Sequence, residues 1–299
     1  MRTPLFSYIL VLMPELPEVE TVRIQLQRKI FGKTIDSVEV FHNKSVAHDE
    51  QIEDRLRGKT FSDIDRIGKL MIFSFTDEDN LFLLAHLKMT GQFFFVGNDG
   101  EAVGGGHSVN AADRELPGTH TRVAFHFTDH TSLFFNDMRL FGYTKIANAA
   151  EVARARSGFG PEPIDTNFDC TWFTETLKKR RTPVKAALLD QSFVAGLGNI
   201  YVDEALWRAR VRPTRRADKV TKVEAARLCR AAGDVMRESI AVRGTTFQHF
   251  VDTGGKNGNF TDHLKVFGQH GSTCEHCGHT IKKIRCAGRG THYCPGCQK

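Results

Sequence analysis

Five of the seven cysteines lie in the last 26 residues, and four of them are set as Cys274-x2-Cys277-x16-Cys294-x2-Cys297. That spacing offers two thiolates from each of two turns to one tetrahedral ion, which predicts a single structural Zn2+ with no open position for catalysis. Disulfides among these cysteines would need an oxidising compartment, and nothing else in the sequence indicates one. Cys286 is a spare thiol between the pairs. Lys282, Lys283, Arg285 and Arg289 make the intervening ribbon positive, and Gly288 and Gly290 flank Arg289 at its expected tip. An arginine there is placed to enter an anionic ligand such as DNA.

The elements that must carry these residues follow from periodicity. Apolar residues at Leu16, Val19, Val22, Leu26 and Ile30 form one face of a helix, with Pro17 in its first turn and Gly32 at its end. From Thr34 to Ile146 the period changes to two, as at Val123, Phe125 and Phe127, and Thr128-Asp129-His130 marks a turn, so this half reads as antiparallel β. The polar segment 97–118, with Gly104-Gly105-Gly106, is expected to be a loop joining two strands. Ser157 to Pro163 is punctuated as a linker, and beyond it the pattern is helical.

The 299-residue chain has 40% hydrophobic and 25% charged residues, the composition of a globular protein rather than a disordered or collagenous one. Its longest apolar run, Leu5 to Leu12, is short of the ~20 residues that span a bilayer, and it lacks the form of a secretory signal. A cytoplasmic location and no membrane partner are expected. The net charge of +6 is uneven: residues 14–145 sum to −5 and residues from 147 onward to +10. An anionic partner is implied for the second half, nucleic acid before others.

Three motifs then fall in a recognisable order: Met13-Pro-Glu-Leu-Pro-Glu-Val-Glu-Thr-Val, Gly-Leu-Gly-Asn-Ile-Tyr at 196–201, and Gly-Arg-Gly-Thr-His-Tyr-Cys-Pro-Gly-Cys-Gln at 288–298. From Pro14 to Lys299 the chain resembles the bacterial formamidopyrimidine-DNA glycosylase family. The resemblance implies base-excision repair by a bifunctional glycosylase and abasic-site lyase that removes oxidised purines, 8-oxoguanine and formamidopyrimidines, from duplex DNA. Its nucleophile would be the nitrogen of Pro14 acting as a secondary amine and forming a Schiff base, followed by β- and δ-elimination. On its own, Pro14-Glu15 reads only as a helix lead-in. Acylated by Met13, Pro14 would be inert, so Met13 is expected to be the true start and residues 1–13 to be absent from the mature protein.

The same resemblance implies Pro14, Glu15, Lys69 and Arg289 as the catalytic set, with Glu15 as general acid/base and Lys69 on a phosphate near the lesion. Met89, Arg139 and Phe141 would be the residues that fill the gap left by the extruded base. His86, Lys185, Asn199 and Glu204 complete the expected DNA-facing set, Asn199 and Lys185 on the backbone flanking the lesion and Glu204 supporting the geometry. Residues 243–260 resemble the family's lesion-capping loop. The chain departs from the family at Lys88, usually glycine, and at Met138 and Leu140, where Pro and Arg are usual.

The implied fold is an α+β multidomain protein: an antiparallel β-sandwich (14–147), a linker (148–165), a helix-two-turn-helix domain (166–265) and a zinc ribbon (266–299). It would act as a monomer on the bacterial nucleoid. An endonuclease VIII-type relative acting on oxidised pyrimidines is the nearest alternative, disfavoured by Leu16 and the Arg139/Phe141 pair. A non-catalytic zinc-containing DNA-binding protein is the alternative from another class.

Overall fold

The computed structural model describes residues 13–98, 102–107, 116–245, 250–251 and 260–299. Helix α1 (Leu16–Ile30) opens the described chain. Its five periodic apolar residues are all at most 1% exposed. They do not share one core: Leu16 packs among the helices of the second half, while Val19, Val22, Leu26 and Ile30 pack against the sheets of the first. This helix therefore joins the two halves.

The first half contains β1 (Ile35–Val40), a short helix α2 (Ile52–Leu56), β2 (Phe61–Ile67), β3 (Leu70–Phe75), β4 (Glu78–His86), β5 (Gly91–Val96), β6 (Ala102–His107), β7 (Thr121–Phe127), β8 (Ser132–Asp137) and β9 (Tyr143–Ala147). One antiparallel sheet runs β2-β3-β4-β9, and the other runs β1-β7-β8-β5-β6. The alternation read at Val123, Phe125 and Phe127 places all three inside. Phenylalanines from the two inner faces meet, Phe73 with Phe93 at 5.9 Å and Phe61 with Phe127 at 6.1 Å between ring centroids. Such aromatic contacts supply both area and geometry to the core between two packed sheets.

Segment 97–118 is not simply a loop. Residues 102–107, including the three glycines, form β6 and pair with β5 from Phe93↔Gly105 to Val96↔Ala102. An antiparallel ladder is made by backbone groups alone, so a side-chain pattern gives no notice of it. The other edge of β6 takes β10 (Phe250–Val251) from the second half. That strand belongs to the segment read as a lesion-capping loop, whose residues 246–249 and 252–259 lie outside the described residues.

Stretch 148–165, expected as linker, holds helix α3 (Ala149–Ser157), started by a reciprocal Asn148–Glu151 capping box. The second half follows with α4 (Cys170–Lys178), α5 (Val184–Leu189), α6 (Asn199–Arg208) and α7 (Lys222–Ala241), then the hairpin β11 (Lys282–Cys286) and β12 (Arg289–Tyr293). No helix among the described residues is long and apolar enough to cross a membrane.

Cys170 and Cys229, to which the sequence reading gave no role, form a disulfide between α4 and α7 with Cα atoms 5.7 Å apart. Closing a 59-residue separation removes freedom from the unfolded chain, a stabilisation of about 2–4 kcal/mol. Cys229→Ser should therefore lower the melting temperature without reductant, and the difference from wild type should vanish in excess dithiothreitol.

Candidate active site and DNA-facing cleft

The turn between α5 and α6 is built around Gln191. Its side-chain oxygen accepts from the Gly196 N–H at 2.9 Å, and its amide donates to the Leu197 carbonyl at 2.8 Å. The start of α1 docks on this turn, the Leu16 N–H donating to the Gly196 carbonyl at 3.2 Å. Gly196 has φ +91°, and a Cβ there would lie 2.2 Å from Leu16 Cδ1. Only glycine satisfies both constraints.

Helix α6 has no side chain of its own at its N-cap, Gly198. Glu15 fills that place: the Ile200 N–H donates to Oε1 at 2.8 Å and the Tyr201 N–H to Oε2 at 3.4 Å. A Cβ on Gly198 would fall 2.3 Å from the Glu15 carboxyl carbon. Glu15 is 3% exposed, and burial raises its pKa to about 7, against the opposing pull of Lys69 and the two N–H groups. A carboxyl with that pKa exchanges protons near neutrality.

Beside it, Glu18 accepts the Glu15 N–H at 2.9 Å and the Thr245 N–H at 2.8 Å, and it accepts a short hydrogen bond donated by the Tyr201 hydroxyl. Burial raises the Glu18 pKa too. This node ties α1, α6 and the residue leading into segment 246–249 to the same point.

Lys69 sits on the β2–β3 turn, 7% exposed, its pKa lowered by burial against the attraction of Glu15 and Glu18. The turn is clamped from outside. Glu162 accepts two bonds from Arg66, at 2.6 and 2.9 Å, and one from the Gly68 N–H at 2.5 Å, while Arg66 also donates to Glu20 at 2.9 Å. Bidentate geometry of this kind is the strong form of the carboxylate–guanidinium pair. Phe159 closes the turn from above, its ring 3.0 Å from where a Gly68 Cβ would be.

Met13, Glu15, Lys69, His86, Met89, Asn199 and Arg289 line one cavity of about 630 Å³, with Lys88 and Lys283 at its wall, and Pro14 is buried between Met13 and Glu15. His86 is held neutral, burial pushing its pKa down to about 3. Its Nδ1 accepts the Lys88 N–H at 3.0 Å, so the remaining ring proton is on Nε2. Arg289 is exposed at the first position of β12, after the two-residue turn Ala287-Gly288, both with positive φ.

The three expected wedge residues come together from two loops. The Arg139 guanidinium lies 4.8 Å from the Phe141 ring centroid and 3.2 Å from Met89 Sδ, and Phe141 is 48% exposed. Asp137, fully buried, knots the loops: one oxygen accepts the Thr90 hydroxyl and the Arg139 N–H (3.2 Å), the other the Gly142 N–H (2.7 Å).

Two residues of the expected DNA-facing set are buried. Lys185 is fully buried and paired with equally buried Asp203 at 2.7 Å, and it donates to the Gly290 carbonyl at 3.3 Å. It holds the ribbon and has no open face for a phosphate. Glu204 is also fully buried, accepting the backbone N–H groups of Lys265, Val266 and Phe267 at 2.8–3.1 Å. It anchors the entry to the ribbon. Asn199 does line the cavity, but its Nδ2 is bound to the Gly290 carbonyl at 3.0 Å, and the α6 N–H groups behind it are spent on Glu15. Asp137, Glu162, Arg66, Glu18 and Asp203 were missed; each is a buried charge with at least one partner far away in sequence, as Thr90 is from Asp137 and Tyr201 from Glu18.

The four ribbon sulfurs lie within 4.8 Å of one another, with Sγ–Sγ distances of 3.3 Å for Cys277–Cys294 and 3.7 Å for Cys274–Cys297. Tetrahedral coordination at ~2.3 Å requires sulfurs about 3.8 Å apart, so this donor set fits one metal ion and leaves no side open.

With this geometry the comparisons agree. Residues 13–144 match the model of the formamidopyrimidine-DNA glycosylase N-terminal domain, 159–251 that of its H2TH domain, and 271–299 that of the zinc finger found in FPG and IleRS. The chain is 40% identical over 291 residues to the formamidopyrimidine-DNA glycosylase of Enterococcus faecalis, covering 96% of this chain and 98% of that one. It is 41% identical over 288 residues to that of Lactiplantibacillus plantarum, at 95% and 98% coverage. Its fold superposes on the Lactococcus lactis Fpg in complex with an abasic-site DNA with a TM-score of 0.83 at 34% identity, covering 96% of this chain and all of that one. The chain belongs to the formamidopyrimidine-DNA glycosylase family.

Asp137→Asn replaces an acceptor by an amide N–H that faces donors. It should cost about 1–3 kcal/mol in a denaturant titration and separate Arg139 from Met89.

Proposed function

We propose that the chain excises oxidised purines, 8-oxoguanine and formamidopyrimidines, from duplex DNA and then cleaves the strand at the abasic site. The observation that carries this reading is the buried Glu15 carboxyl, raised to about 7 next to Pro14, in a cavity it shares with Lys69.

The chemistry requires the Met13–Pro14 bond to be gone, because only a free prolyl nitrogen has a lone pair to attack the deoxyribose C1′. That attack forms the N–C1′ bond and expels the base with its bonding pair, the amine proton leaving with the base, and the nitrogen lone pair then becomes an iminium as the C1′–O4′ bond breaks. Protonated Glu15 supplies the proton as the sugar ring opens. The iminium makes the C2′ proton acidic, so β-elimination and then δ-elimination release the two flanking phosphates. Lys69 and His86 Nε2–H face the backbone at the lesion, and Arg289 grips it from the ribbon. Met89, Arg139 and Phe141 enter the space the extruded base leaves, an unstacking of a few kcal/mol that they offset.

The metal of the ribbon is zinc, one per chain, and its part is to fold the hairpin that carries Arg289. The protein acts as a monomer on DNA, and the +10 charge of its second half supports an anionic partner.

Borohydride reduction on a duplex with 8-oxoguanine opposite cytosine tests the reading. Protein beginning at Pro14 should crosslink, because reduction fixes an iminium, and protein retaining Met13 should not. Binding without any crosslink from the Pro14 form would overturn the amine mechanism. Cys294→Ser, or chelation, should weaken duplex binding while the sandwich keeps its near-ultraviolet signature.

A further inference from the structure

Nine described residues other than glycine have positive φ, and Lys88 is the one among them that lines the 630 Å³ cavity. Its φ of +51° is a backbone conformation that glycine adopts freely and lysine at a cost. The position itself needs that conformation: it turns the chain from β4 toward Met89 and aims the Lys88 N–H at His86 Nδ1, 3.0 Å away. Glycine would serve the backbone better, so the lysine side chain is what the turn retains at a cost.

That side chain has no carboxylate or hydrogen-bond partner among the described residues. Its Nζ lies 5.9 Å from the Tyr143 ring centroid, an aromatic face that attracts the ammonium without neutralising it. Lys69 and Arg289 line the same wall, and the charge of Lys88 is among those that lower Lys69 and His86. Unpaired cations crowded in one cleft repel one another until an anion enters.

We propose that Lys88 is a phosphate ligand, holding a phosphodiester of the bound duplex at the cavity rim beside the Met89 wedge. This rests on duplex DNA being the ligand. Contact with a phosphate is blind to base and to damage, so it adds equally to binding of intact and damaged DNA, and it adds one counterion to the salt dependence.

The test is duplex affinity against salt concentration for wild type, Lys88→Gln, Lys88→Gly and Lys88→Arg, on a stable abasic-site duplex and on its undamaged counterpart. Wild type should lose affinity steeply with salt. The glutamine and glycine variants should each flatten the logarithmic slope by about one unit on both duplexes, roughly a threefold smaller loss between about 50 and 200 mM. Arginine should restore the slope. Lys88→Gly should also melt higher than Lys88→Gln, which separates the backbone effect from the charge. An unchanged slope in both neutral variants overturns the proposal, as does a loss confined to the damaged duplex, which would make Lys88 a lesion reader. If wild type itself binds neither duplex, the DNA-repair reading falls together with this one.

Discussion

The structure depends on one carboxylate at the wrong helix. Glu15 belongs to α1, yet its oxygens take up the N–H groups at the start of α6, a helix that begins 184 residues later in the chain. A helix N-terminus stabilises negative charge, and burial opposes it. Burial wins, and the carboxyl is left with a pKa of about 7. The same bonds that tune the acid also dock the first residues of the chain onto the Gly196–Gly198 turn, so acid chemistry and assembly of the two halves are a single arrangement. Because folding raises this pKa, the native state keeps a proton that the unfolded chain releases between pH 4.5 and about 7. The stability Glu15 contributes is complete at low pH and falls by about 3 kcal/mol as pH rises through 7.

Other buried charges repeat this logic. Asp203 pairs with Lys185 and accepts the His292 N–H at 2.7 Å, which fixes β12 against α5 and α6. Glu204 fixes the chain entering the ribbon, and Glu162 with Arg66 fixes the turn bearing Lys69. Removing one member of such a pair leaves an uncompensated buried charge, typically worth 3–5 kcal/mol. Each of these interactions bridges segments distant in the chain and helps fix how they meet. Lys69, Lys88 and Arg289, for which no ion pair is found among the described residues, line one cleft.

Much of this was legible in the chain itself. The five-residue stripe of α1, the alternation of β7 and the Cys-x-x-Cys pairs each express a local rule, helix period, strand period or metal-ligand spacing, and each gave the right element. The stripe could not reveal that Leu16 serves a different core from Val19 onward. The glycines of β6 read as loop because a strand without side chains has no period to detect. The capping box at Asn148 and Glu151 was available in the sequence, but the punctuation around Gly158 and Pro161 drew the eye to a linker. Lys185 was placed on the DNA backbone and Glu204 in support of the site by resemblance to the family, and only the three-dimensional pairing reveals what their charges bind within the protein. Glu162 carried no signal, since its partners Arg66 and Gly68 lie on a distant strand and turn, and Asp137 gave none for its bond to Thr90 on another loop.

Glu15 can be titrated directly in the intact chain by the 13C chemical shift of its side-chain carboxyl, assigned by the resonance missing in Glu15→Gln. The account predicts an inflection near pH 7, more than two units above an ordinary glutamate. An inflection near 4.5 would mean a solvated carboxylate, and it would remove both the acid and the joint between α1 and α6 on which the rest is built.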